Sequence, residues 1–143
     1  RRRPPLMGAG ATNIDHIVIS SNDSAATAQL FSENFGFPIK RTMSRPGTRA
    51  HLEFAKLDEV VLEFAGPGEV KPYDEVKSRI GGLVLAVTDI DAAVAAVRAA
   101  GYECGEAHPA IQPGAKIATV KSGTGGVPFA FIQYNAIPQE SPA

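Results

Sequence analysis

The chain has 143 residues, of which 44% are hydrophobic, and a formal net charge of −1, values typical of an ordinary globular protein. This charge balance gives no basis for a nucleic-acid partner, and no apolar run reaches the roughly 18 residues needed to cross a bilayer. Cys104 stands alone, which excludes an internal disulfide and favours a reducing, cytoplasmic setting.

The first half of the chain predicts a strand, a helix and three further strands. Residues 1–11, which open with three arginines and two prolines, are interpreted as a disordered or vector-derived N-terminus. The β-branched run "IDHIVIS" predicts a strand. Asn22, Asp23 and Ser24 are candidate caps of the helix that follows, which reaches Phe35 and is ended by Gly36. The runs "FPIKRTM", "RAHLEFA" and "EVVLEFA" predict three more strands.

The second half repeats this order. Residues 67–79, rich in proline, glycine and charge, are predicted to link the two halves. "GLVLAV" predicts a strand, a helix follows from Asp89 to Ala100, and "YECGEA", "AKIATVK" and "VPFAFIQYN" predict three strands. We therefore predict two β-α-β-β-β modules, at residues 12–66 and 80–137, followed by a tail at 138–143.

The two halves match each other at an offset of 65 or 66 residues. Gly36 and Gly101, which end the two helices, lie 65 residues apart, and the two helix caps lie 66 apart. In either register the counterpart of His16 is a glycine, Gly81 or Gly82. One module alone buries too little core to be stable. We expect an α+β fold in which both modules form one curved eight-stranded mixed sheet around a cavity, with the helices outside.

This duplicated pattern, with "DHIVIS" opening the first half and "LVLAVTDIDAAVAAVRAAGY" opening the second, resembles the vicinal oxygen chelate superfamily. That superfamily includes glyoxalase I, extradiol dioxygenases and bleomycin-resistance proteins, and the resemblance covers about residues 12–137. Metal-dependent members present four ligand positions, on the first and last strand of each module. Their divalent metal chelates two vicinal oxygens of the substrate and stabilises an enolate or oxyanion.

The resemblance assigns the first-module positions to His16 and Glu63, as metal ligands or as a catalytic pair. The second module offers no first-strand ligand, because a glycine stands there. Its last-strand position falls on Ala130 when it is counted from the preceding glycine turn, which is favoured, and a shift of three residues would offer Gln133 instead. The resemblance thus implies either a divalent metal of unknown identity held by two protein ligands, or no metal.

The rest of the cavity wall is predicted to be apolar and roomy. Gly82, Val84 and Ala130 are assigned to this wall, since they contribute no side-chain donor atoms. His51 is a further candidate, because it alternates with Glu53 along a predicted strand and the two share a face. That face lines the cavity or meets solvent.

Two classes of function follow from these residues. The first is a glyoxalase- or dioxygenase-like enzyme that acts on a small oxygenated, partly apolar molecule by lyase, isomerase or ring-opening chemistry. Glu63 would then be the general base or a metal ligand, and His16 would polarise a carbonyl or hold the metal. The alternative is a metal-free binding protein that sequesters an apolar or aromatic ligand, as bleomycin-resistance proteins do. In both cases we expect a small-molecule partner, no nucleic-acid or membrane partner, and a homodimer that covers the open sheet edges.

Overall fold

The structure is a computed structural model that describes residues 8–45, 47–68 and 75–135. The predicted tail and parts of the predicted N-terminal segment and linker lie outside these ranges. Neither helix of the described residues is long and apolar enough to cross a membrane.

The described residues contain the β-α-β-β-β order twice. The first copy consists of β1 (Ala11–Ser21), α1 (Ser24–Phe35), β2 (Ile39–Ser44), β3 (Ala50–Leu57) and β4 (Val60–Pro67). The second consists of β5 (Ser78–Val87), α2 (Ile90–Ala99), β6 (His108–Pro109), β7 (Ala115–Val120) and β8 (Phe129–Tyr134). Both parallel and antiparallel strand pairs occur, which confirms the predicted α+β fold with a mixed sheet.

The chain divides into two compact units. The first unit is Asp15–Leu83, and the second unit combines Arg1–Ile14 with Val84–Ala143. Strands β1 and β5 each contribute residues to both units, so the unit boundaries cut through two strands instead of following the linker. The module boundaries at 12–66 and 80–137 stay a prediction.

In the first unit, strand β4 lies between β1 and β3. It pairs parallel with β1 and antiparallel with β3, and β2 pairs antiparallel with β3. One face of this sheet carries an apolar cluster that packs against α1. Its buried members are Ile19, Ala28, Ala55 and Phe64. The opposite face carries the alternate residues of the same strands.

Helix α1 begins and ends where the sequence predicts. The side chain of Asp23 accepts a hydrogen bond of 2.9 Å from the backbone N–H of Ala26, which satisfies one free donor of the first turn. Gly36 adopts the left-handed conformation with φ of 75°, a conformation that glycine reaches without a steric cost. Asp23 is thus the cap of the helix, and the first helical residue is Ser24.

In the second unit, β7 pairs antiparallel with both β6 and β8. Helix α2 is capped by Asp89, whose side chain accepts from the N–H of Ala92 at 3.0 Å. Apolar residues cover both faces of the strands. One cluster includes α2, and the other consists of buried Val84, Ala115, Ala130 and Ile132.

One strand prediction in the second half is wrong. The run "YECGEA" forms only an isolated bridge, between Cys104 and Val120. The regular pairing occurs later, where His108 and Pro109 form β6 between the predicted strands "YECGEA" and "AKIATVK". Gly105 interrupts this run. A glycine contributes no side chain to pack, so it weakens a strand.

Candidate functional site

His16 and Glu63 lie on the neighbouring parallel strands β1 and β4. The register places His16 opposite Val61 and Val18 opposite Glu63, so His16 and Glu63 are diagonal neighbours on one face. Phe64, the next residue along β4, packs in the cluster against α1. Because successive side chains of a strand point to opposite faces, the pair lies on the side of the sheet turned away from α1.

The two side chains are close together and buried. His16 Nε2 lies 3.8 Å from Glu63 Oε1, and each residue is only 4% exposed. This distance is too long for a hydrogen bond, but it is short enough for one substrate atom to contact both groups. A buried carboxylate is costly unless charged or hydrogen-bonding partners surround it. The pair therefore consists of two buried titratable side chains and is not a surface ion pair.

Asp15 fixes the orientation of the histidine. Its Oδ2 lies 2.7 Å from His16 Nδ1. An ionised carboxylate can only accept a hydrogen bond, so Nδ1 donates and Nε2 is the nitrogen that faces Glu63. Sequence reasoning missed Asp15, since strand alternation sends adjacent side chains to opposite faces and gives no hint that they meet. Its position directly before His16 was the available signal.

Arg45 supplies positive charge on the other side of Glu63. Its Nη2 lies 3.8 Å from Glu63 Oε2, and its side chain is 44% exposed, so it reaches from solvent towards the buried carboxylate. Arg45 follows directly after β2, in the run between the predicted strands "FPIKRTM" and "RAHLEFA". Nothing in that run pointed to a role in the site.

The face of the first-unit sheet that carries His16 and Glu63 also carries an aromatic ring. Phe54 is buried and lies directly opposite Glu63 in the β3–β4 register. The guanidinium of Arg41 lies over this ring, 4.7 Å from its centroid, at a distance typical of a cation–π contact. The surroundings of Glu63 are thus partly apolar and partly cationic.

His51 lies on the other face of the first-unit sheet. Its Nε2 is 2.7 Å from Glu53 Oε2. His51 and Glu53 lie on the same face of β3 as Ala55, which packs against α1. The pair is therefore separated from Glu63 by the thickness of the sheet. The structure brings His51 together with Glu53, as the alternation predicts, but not with His16.

The predicted wall residues of the second module lie together in the second unit. Val84 and Ala130 are both buried in the apolar cluster with Ile132. Gln133 lies on the opposite side of β8, where its Oε1 accepts a hydrogen bond of 2.7 Å from the backbone N–H of Ile90 at the start of α2. Ala130 and Gln133 thus lie on opposite faces of β8, and Gln133 accepts a hydrogen bond at the first turn of α2.

The glycines that replace the histidine of the first module differ in their surroundings. Gly82 is buried in β5. At Gly81, an added Cβ would overlap Ser20 Oγ and would also lie 2.8 Å from Ser20 Cβ. Real Cβ atoms do not approach other atoms this closely, so the side chain of Ser20 occupies the space that a histidine at position 81 would need.

The described residues offer an incomplete set of metal ligands. They contain no group of three or more histidine, cysteine, aspartate or glutamate side chains that could hold a metal ion. His16 and Glu63 would supply two ligands, whereas a catalytic zinc usually has three from the protein. These residues alone do not fit a closed metal centre, and no chemical step below depends on one.

Solved structures share this fold at low sequence identity. Methylmalonyl-CoA epimerase from Mycobacterium tuberculosis gives a TM-score of 0.75 at 16% identity, over 92% of this chain and 94% of that chain. A variant of the Streptomyces coelicolor methylmalonyl-CoA epimerase, in complex with 2-nitronate-propionyl-CoA, gives 0.71 at 19% identity, over 89% of this chain and 100% of that chain. A hypothetical protein from Bacillus halodurans C-125 gives 0.71 at 18% identity, over 86% and 94%. No curated protein sequence matches the chain.

A family model matches residues 13–125, which begin just before His16 and include both helices. This span is most of the chain, and it contains the two motifs that carried the resemblance. The duplicated strand–helix order, the solved structures of the same fold and this match agree. The chain therefore belongs to the Glyoxalase/Bleomycin resistance protein/Dioxygenase superfamily.

Proposed function

We propose that this protein is an enzyme that moves a proton at a carbon atom next to a carbonyl group, in an isomerase- or lyase-type reaction. The observation that carries the proposal is the buried pair of Glu63 and His16, 3.8 Å apart, with Asp15 bound to the far nitrogen of the histidine. The substrate would be a small oxygenated, partly apolar molecule.

Glu63 acts as the general base in this proposal. Its carboxylate is the only acidic group of the described residues within 4.0 Å of His16 Nε2, and its burial keeps bulk water from competing for the abstracted proton. His16 donates to the carbonyl oxygen, where negative charge develops as the proton leaves, and this role requires the imidazolium form, in which Nδ1–H donates to Asp15 and Nε2–H to the substrate. Asp15 keeps the imidazole in one orientation, so the charge-stabilising nitrogen is already in place before reaction.

The groups around Glu63 support a substrate with both apolar and polar parts. The Phe54 ring offers an apolar surface next to the base, and Arg45 offers a cation that reaches in from solvent. An exposed arginine can rotate to a carbonyl or carboxylate oxygen of a ligand and can form paired hydrogen bonds with it. These two residues would orient the substrate, while the proton is transferred at Glu63.

Proton exchange in D₂O tests the proposal without knowledge of the full reaction. The protein would be incubated with a panel of carbonyl compounds, including acyl thioesters because a structural relative was solved with 2-nitronate-propionyl-CoA. Deuterium uptake at the carbon next to the carbonyl would be followed by NMR. We expect uptake that falls by a factor of roughly 10² or more in Glu63→Gln, the scale of a lost acid–base group.

Glu59→Gln is the matched control, because Glu59 is an exposed glutamate in the turn just before β4. Its exchange rate should equal that of the wild type. Equal rates in Glu63→Gln and the wild type would refute the assignment of the base. Retained ligand affinity with no exchange by any protein would instead favour the alternative, a metal-free protein that sequesters its ligand.

Two further properties belong to the same proposal. A homodimer would cover open sheet edges, and sedimentation at micromolar concentration should then show twice the 15.0 kDa mass of the chain. A cytoplasmic location fits the single cysteine, which the folded chain keeps as a buried free thiol.

A further inference from the structure

We propose that a pocket of the first unit, at the end of β1, binds the phosphate group of a ligand. The pocket has a volume of about 420 Å³ and lies where the end of β1 meets the start of β5. Its lining residues are Ser20, Ser21, Asn22, Pro67, Lys77, Ser78 and Arg79. Neither His16 nor Glu63 belongs to this lining, so the pocket is separate from the acid–base pair.

The pocket presents several hydrogen-bond donors that no group of the described residues uses. Lys77 and Arg79 form no salt bridge with any residue in the described ranges. The hydroxyls of Ser20 and Ser78 likewise have no hydrogen-bond partner within those ranges. Two cations and two hydroxyl groups around one cavity are the donor set that binds phosphate oxygens.

Among the residues that the structure describes, no carboxylate lines the pocket to neutralise this charge. The acid nearest in sequence to the lining residues 20–22 is Asp23, which follows β1, and its side chain already accepts the N–H of Ala26 as the cap of α1. Glu75 contributes its backbone carbonyl to Asn22, and it does not line the pocket. The local charge therefore favours an anion over a cation or a neutral ligand.

Asn22 holds the pocket in shape. Its Nδ2 donates to the carbonyl of Glu75 at 2.8 Å, and its Oδ1 accepts from the N–H of Lys77, also at 2.8 Å. A backbone hydrogen bond of 3.1 Å, from the N–H of Asn22 to the carbonyl of Lys77, completes the connection. The backbone of Lys77 is thus held beside the end of β1 before any ligand arrives, which keeps its side chain near the pocket.

The size of the pocket narrows the ligand class. A volume of about 420 Å³ lies in the range of small-molecule sites, roughly 300–1,000 Å³, and exceeds what one phosphate fills. Most of the accessible area of the lining is apolar, with Pro67 among the residues that supply it, and the charged and hydroxyl groups are a minority of the surface. We infer a phosphate ester or a diphosphate, in which the group attached to phosphorus fills the remaining space.

Direct binding measurements test this site. The complete protein would be titrated with inorganic phosphate, pyrophosphate and ADP at constant ionic strength, and binding would be followed by amide NMR shifts. We expect saturable shifts at Ser20 and Ser78, and an affinity that falls at least tenfold in Arg79→Gln and in Lys77→Gln. Lys116→Gln is the control, since Lys116 is an exposed lysine of β7 that lies outside the pocket.

The relative affinities identify the ligand chemistry. Tighter binding of pyrophosphate and ADP than of phosphate would assign a diphosphate, and equal binding would assign a single phosphate group. The site is refuted if binding does not saturate at millimolar concentrations, if both pocket variants bind as the wild type does, or if chloride shifts the same amides equally. Glu63→Gln should bind phosphate normally, so failure of this site and failure of the proposed base are seen separately.

Discussion

Replacing Phe64 by alanine should remove much of the stability of the first unit. Phe64 is 0% exposed, and its ring meets that of Phe31 edge-on, with centroids 5.1 Å apart and an interplanar angle of 66°. Loss of a fully buried phenylalanine costs about 3–5 kcal/mol, to which such a ring pair contributes about 0.5–1.5 kcal/mol. At roughly 2–4 °C per kcal/mol for a chain near this size, the melting temperature should fall by about 10 °C.

Chemical denaturation of Phe64→Ala, Phe31→Ala and the double variant measures this cost and the coupling between the two rings. Phe35→Ala is the matched control, because Phe35 also touches Phe31 but is 64% exposed. We expect its cost to stay below about 1 kcal/mol, as is usual at exposed positions. The packing argument fails if Phe64→Ala destabilises the protein no more than Phe35→Ala, or if the double-variant cycle shows no coupling between Phe31 and Phe64.

Three other substitutions probe the site and its supports. Asp15→Asn should slow proton exchange about 10- to 100-fold, the usual effect of a lost carboxylate that orients a histidine, and Glu33→Gln on the exposed side of α1 should not slow it. Gln133→Ala should cost about 1–2 kcal/mol in urea denaturation, because the N–H of Ile90 loses its acceptor. Burial raises the pKa of the Cys104 thiol, so the folded state resists its ionisation more than the unfolded state does. Stability should therefore fall as the pH rises above about 8.5, where the unfolded thiol ionises, and Cys104→Ala should show a smaller fall in denaturation series from pH 7 to 10.

The sequence was most informative where local chemistry decides the structure. Asp23 and Asp89 cap their helices because a short carboxylate satisfies the free N–H groups of a first turn wherever the rest of the chain lies. The strands that carry His16 and Glu63 are β-branched and apolar, and no turn residue interrupts them. These elements could be predicted, and so could the duplicated order that they form.

The face on which a side chain lies was harder to predict. In β3, "HLEFA" alternates in both phases, with Leu52 and Phe54 on one side and His51, Glu53 and Ala55 on the other. Only the pairing of β3 with β4 shows that Ala55 joins the cluster beneath α1 and that Phe54 stands opposite Glu63. Register is a property of two strands, so a single strand's pattern does not contain it.

The charged neighbours of the candidate base were also beyond sequence reasoning. Arg45 lies eighteen positions before Glu63 in the chain, in a turn, and the two meet only because β2, β3 and β4 fold against one another. The proposed phosphate pocket likewise combines residues that are far apart in sequence. Ser20 lies near the start of the Asp15–Leu83 unit, and Arg79 lies near its end. Such clusters depend on tertiary contacts, whereas the two helix caps depend on a few consecutive residues.

The contact between Ser20 and Gly81 makes the history of substitutions at these two positions depend on their order. A histidine introduced at position 81 while Ser20 is present would meet its Oγ and Cβ, and strand β5 would have to shift away from β1. If Ser20 first became glycine, the Oγ and Cβ atoms would be gone, and the same histidine would meet the backbone N of residue 20, at 3.3 Å from its Cβ. The order of the two substitutions therefore decides how strongly the intermediate is destabilised, and a histidine at position 81 is accommodated more easily after a change at Ser20 on the neighbouring strand.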